Sequence, residues 1–104
     1  MKIAEELKRL SKRHPMTNYY DALLKDLKNE ASEGGYYKIL TFAKDNYNAI
    51  AKKLLHDGFE VVINNYDESH EFHVTYVVWD SERFNEYLKE STDIDKSTLH
   101  HGLI

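Results

Sequence analysis

Six histidines and eighteen carboxylates, with no cysteine, set the chemistry this chain can offer. The absence of cysteine excludes disulfides, thiol catalysis and thiolate-ligated zinc or iron–sulfur centres. His70 and His73 stand three apart on an expected turn and strand, where alternation sends their side chains to opposite faces. Zinc needs convergent donors, and neither that pair nor the adjacent His100 and His101 supplies them. No metal and no cofactor is expected. Ser69 and His70 are neighbours, but a nucleophile and its base must meet in space, and no elbow motif surrounds Ser69. Asp67, Glu68 and Glu71 cluster around a turn that nothing in the sequence would dry or shield, as general acid–base work requires. Gly34-Gly35 lacks a following Lys-Ser/Thr and leads into a strand, so it is no phosphate loop. The reading therefore expects no catalytic residue and a non-enzymatic protein.

Charge is the more informative pattern. The net value of −4 divides into ten Lys/Arg against seven Asp/Glu over residues 1–52, then four against eleven over residues 53–104. A polarity of +3 against −7 steers encounters with charged partners. It disfavours nucleic acid, which asks for a broad basic surface. The acidic half, from Asp57 through Glu90, suits a basic protein surface or plain solubility. The strongest positive cluster is Lys8, Arg9, Lys12 and Arg13. It sits on a segment whose Ile3, Leu7 and Leu10 fall at i, i+4 and i+7. Three aliphatic anchors make a weak membrane helix, and no window approaches the roughly 18 apolar residues that span a bilayer. Lys2 is not followed by an apolar run, so no secretory signal is read.

These residues must be positioned by a small fold. A chain of 104 residues suggests one domain with a modest core. Helical stripes are expected over 2–14, ended by Pro15, and again from Thr17 or Asn18 through Tyr20, Leu23, Leu24, Leu27 and Ala31. Tyr36–Phe42 reads as a strand with apolar groups on both faces. Asp45 can cap a third helix, buried through Tyr47, Ile50, Ala51, Leu54 and Leu55, and Gly58 is its natural stop. Phe59–Tyr66 and Phe72–Trp79 alternate as strands joined by a long polar turn. Asp80 or Ser81 opens a last helix carrying Phe84, Tyr87 and Leu88. The fold class expected is α+β, in the order α-α-β-α-β-β-α. Its helices pack on a mixed three-stranded sheet in which the crossover makes the first two strands parallel. Residues 1–92 form the domain, and 93–104 a flexible polar tail.

Eight tyrosines are an excess that fits either a binding face or a thin core covered by large rings. The segments Gly35-Tyr36-Tyr37-Lys38-Ile39, Ile50–Val61 and Tyr76-Val77-Val78-Trp79 resemble small bacteriophage-encoded proteins. Many of those have no assigned activity, and others are structural parts or bind host factors. The resemblance covers residues 20–79 and transfers no functional residue. It implies an accessory or inhibitor protein in the bacterial host cytoplasm. The expected function is thus a protein-interaction module that meets a host or viral protein through Tyr66, Glu68, Glu71, Tyr76, Glu82 and Glu86. The alternative is a structural protein that self-assembles into a homo-oligomer through Ile3, Leu7 and Leu10.

Overall fold

A computed structural model describes residues 16–104, with side chains from Tyr19 onward. The expected leading helix over 2–14, and with it Ile3, Leu7 and Leu10, lies outside the described residues. Helix α1, Met16–Ser32, buries Tyr20, Leu23 and Leu27, a spacing of three and four that makes one stripe. It ends in a Schellman motif: Gly34 takes φ +93°, its N–H donates to Ala31 O, and the Gly35 N–H donates to Glu30 O. Strand β1, Tyr37–Ala43, runs directly into helix α2, Lys44–His56. The α2 N-cap is Ala43, which offers no side-chain acceptor; the expected cap Asp45 lies instead in the first turn, where its charge favours the dipole. Gly58, at φ +95°, closes α2 by the same two bonds, Gly58 N–H to Leu55 O and Phe59 N–H to Leu54 O.

Strand β2, Glu60–Ile63, is shorter than its alternation suggests, because Asn65 turns the chain at φ 56°. Asparagine is one of the few residues that accepts that left-handed geometry without glycine's freedom. Strand β3, Phe72–Val78, follows the polar connection. Helix α3, Ser81–Glu90, is capped by Asp80, whose side chain accepts from the Arg83 N–H. A single 3-10 turn, Lys96–Thr98, then leads into a two-residue strand β4, His100–His101.

The sheet corrects the expected one. It has four strands in the order β1-β3-β2-β4, and every neighbouring pair is antiparallel. Strands β1 and β2 do point the same way through the α2 crossover, but β3 slides between them, so no parallel pair forms. The reason is burial. From His73 to Val78 all residues but Val74 are buried, on both faces, and such a strand belongs at the centre. The fourth strand comes from the segment read as a tail, where two adjacent histidines carry no periodicity to reveal it. Three α-helices lie among the described residues.

The sheet is covered on both sides. On one face α1 and α2 enclose Phe42, Tyr47, Ile50, Leu54, Val61, Ile63 and Val77. On the other, α3 lays Phe84 and Leu88 over Val62, Tyr76 and Val78. Tyr37 extends that second core, its ring 5.6 Å from Tyr76, 5.6 Å from Phe84 and 5.4 Å from Tyr87. Most of the tyrosine excess is therefore spent inside. Tyr20, Tyr47 and Tyr76 are buried, Tyr36, Tyr37, Tyr66 and Tyr87 are half-buried, and Tyr19 is exposed.

Candidate interaction surface

The second face of the sheet is only half covered, and the cause is length. Helix α3 has ten residues, about 15 Å of axis. Strands β1 and β3 have seven each, about 23 Å. The register shows where cover stops. Tyr37 beside Val78 and Tyr76 beside Ile39 start the shared face, followed by Thr41 beside Val74 and Ala43 beside Phe72. The α3 core reaches Tyr37, Val78 and Tyr76. Beyond it, Ile39 is 49% exposed, Val74 42% and Phe72 60%. Isolated exposed hydrophobics are common, but here they sit on paired strands, on one face, in one strip. The outer edge of β1 pairs with no strand among the described residues.

Asp45 and Glu71 border the Phe72 end of this strip, and Asp67 and Glu68 lie farther along the same connection. Asp45, Asp67, Glu68 and Glu71 are all exposed. The connection that carries three of them is built, not loose. Lys44 anchors it twice, through its N–H to Glu71 O at 2.8 Å and its Nζ to Glu68 O at 2.8 Å. Asp67 accepts from the N–H and hydroxyl of Ser69 at 2.9 and 2.8 Å, and these bonds hold its carboxyl below the usual range. Ala43, Lys44, Asp45, Glu71 and Phe72 line one depression, so acid and apolar groups meet there. Lys44 thus meets the backbone carbonyls of Glu68 and Glu71.

The residues expected to bind a partner fall in three places. Glu71 belongs to this acidic border, and Glu68, in the same connection, lines a neighbouring depression with Tyr66 and His73. Tyr66 lies beside them but turns inward, its ring 5.6 Å from His73 and 4.7 Å from His100. Glu82 and Glu86 are exposed on α3, and Tyr76 is 3% exposed inside the second core. The sequence reading missed Ile39, Phe72 and Val74. Apolar groups on both faces of the first strand suggest that it is covered on both sides or lies centrally, whereas it is an edge strand bare at Ile39. The available signal was the last helix, whose three apolar positions cannot roof two long strands.

The histidines do different work from one another. His70 is exposed in the connection, whereas His73 is 1% exposed beneath α2, its ring edge-on to Tyr47 at 5.7 Å. Both His73 ring nitrogens are buried without a hydrogen-bond partner among the described residues. Burial pushes its pKa down, with the charges of His70, Lys44 and His100 acting the same way. His101 Nδ1 lies 3.6 Å from Glu60 Oε1. Among the described residues no three His, Asp or Glu side chains converge to hold a metal. On the far face, α1 and α2 flank a depression of about 510 Å³, where the Tyr20 hydroxyl donates to Asp57 Oδ2 at 2.6 Å and Lys53 lies over the Tyr20 ring. No helix of the described residues is long and apolar enough to cross a membrane.

No family model, curated protein or solved structure matches this chain.

Proposed function

We propose that this domain is a protein-binding module whose docking surface is the uncovered strip of sheet, and whose ligand is a basic amphipathic helix. The observation that carries this reading is the run of Ile39, Val74 and Phe72 left bare beside α3, with carboxylates at one end. A helix with an aliphatic stripe matches the strip, and it completes the roof that α3 leaves short. Lysines and arginines flanking the stripe match Asp45 and Glu71 at its end. Apolar contact supplies most of the affinity, since exposed ion pairs contribute little, and the charges set orientation and on-rate.

The test uses the full chain and a labelled synthetic helix with leucines at i, i+4 and i+7 and lysines around them. Fluorescence anisotropy should show saturable binding that a scrambled peptide of equal charge does not reproduce. Val74→Lys should weaken it by about tenfold, as loss of a central apolar contact does. Equal binding by the scrambled peptide, or no effect of Val74→Lys, overturns the reading.

A further inference from the structure

We infer that the outer edge of β1 is a docking site for the β1 of a second copy, joining two sheets into one across a two-fold axis at Leu40. The inference rests on this free edge and stands apart from what docks on the bare strip.

The hydrogen bonds show which groups the edge offers. At the two ends of the β1–β3 ladder, the Lys44 N–H donates to Glu71 O and the Trp79 N–H to Tyr36 O. Bonding alternates along an antiparallel pair, so the even-numbered residues of β1 bond inward to β3, and Tyr37, Ile39 and Thr41 turn their N–H and C=O groups outward. None of these is paired with a strand among the described residues. The opposite edge of the sheet is blunted, because β4 has two residues before Gly102 turns the chain at φ +82°. Strand β1 has seven, with an unbroken register, no proline and one lysine, and so keeps the form of a pairing edge.

Three features select a second copy as the occupant. The first is self-complementarity. Turned about Leu40, the strand sets Ile39 beside Thr41 and Tyr37 beside Ala43 of the other copy, large against small, and all seven residues find a place. Lys38 falls beside Phe42, so no like charges meet, whereas an axis at Thr41 would set Lys38 against Lys44. The second is charge. Arg83 lies 4.5 Å over the Tyr36 ring, and Asp45 follows β1 in the first turn of α2. The axis brings the Tyr36 end of one copy to the Ala43 end of the other, and these opposite charges with them. The third is cover. Helix α3 roofs Tyr37, Tyr76 and Val78, the half of the face that the axis sets beside the bare half of the other copy. Each α3 then walls the other copy's strip, which becomes the floor of a groove.

Sedimentation velocity on the full chain over a concentration series should show the mass rise to twice that of one chain and stop, as a closed two-fold contact requires. Thr41→Pro removes an outward N–H, leaves the bonds to β3 in place, and should weaken the dimer by about tenfold or more. Ile39→Lys, at a half-exposed position, should do the same by placing charge on the edge. Because the chain has no cysteine, a disulfide in a single-cysteine variant joins two molecules. Leu40→Cys lies on the axis, where the facing Cα atoms of a non-hydrogen-bonded pair stand about 4.5 Å apart, within disulfide reach. On mild oxidation it should cross-link far better than Leu55→Cys on the exposed side of α2. A chain that stays monomeric overturns the inference, as does a mass that climbs past two copies. So does a dimer that both edge variants leave intact, or equal cross-linking by the two cysteines. Failure here is separable from failure of the docking surface. A monomer that binds the synthetic basic helix leaves that surface standing, and an edge-sensitive dimer that does not bind it removes the docking surface alone.

Discussion

At the scale of one residue, His73 sets a pH dependence. It is held neutral under α2, facing Tyr47 from the helix and Tyr66 from the β2–β3 connection, with Lys44, His70 and His100 the basic side chains around it. Its folded pKa lies below the ordinary 6.5, so between the two values the unfolded chain binds the proton and the native chain does not. Stability is therefore fully present above pH 6.5 and falls as the pH drops toward the folded value, by at most about 1.4 kcal/mol per pH unit from this one proton. His73→Phe removes the titration and two unpartnered nitrogens while keeping a ring in the slot. Urea denaturation between pH 7 and pH 5 should show a shallower acid decline for the variant, with stability at pH 7 equal to the native chain or about 1 kcal/mol higher. An identical decline in both proteins would assign it to other groups.

At the scale of elements, local signals were legible and pairing was not. The stripe of Tyr20, Leu23, Leu24, Leu27 and Ala31, the Gly58 stop and a cap at Asp80 or Ser81 could each be read within a few residues; all of the stripe but the exposed Ala31 packs inward, Gly58 ends α2, and Asp80 is the cap. The central place of β3 depends on cover from both sides at once, which is a property of the assembled layers. Strand β4 depends on contacts far along the chain: Tyr66 N–H to Thr98 O, Gly102 N–H to Val61 O, and the Tyr47 hydroxyl to Gly102 O at 2.7 Å. The last of these joins the end of the chain to the fully buried ring of α2 that also abuts His73. Burial pushes the Tyr47 pKa up to about 12, so its hydroxyl stays a donor across the ordinary pH range. Tyr47→Phe keeps the ring and removes the donor, and should cost about 1 kcal/mol. Faster hydrogen exchange at the Gly102 amide than at Val77 would localise the loss to β4. Uniform acceleration would mean that β4 and the core open as one unit.

At the scale of the whole molecule, the net charge of −4 describes the surface less well than its distribution does. Two pairs of exposed glutamates carry equal charge in different settings. Glu71 borders the bare strip and Glu68 lies in the same connection; both are exposed, and Lys44 is bonded to their backbone carbonyls. Glu82 and Glu86 project from α3, whose core contacts are made by Phe84 and Leu88. Reversing either pair to lysine moves the formal net charge from −4 to 0 and leaves the core untouched. Thermal melts of both double variants should stay close to the native chain, within about 0.5 kcal/mol for substitutions of this exposed kind. Their effects on capture of a basic amphipathic helix should then diverge. Glu68→Lys/Glu71→Lys should slow association several-fold and flatten its salt dependence, because the carboxylates act within about 10 Å at ordinary ionic strength. Glu82→Lys/Glu86→Lys, with the same total charge, should leave association nearly unchanged. Equal slowing in both would make the attraction a bulk property of an acidic protein, and the strip would then lose its claim to orient the ligand.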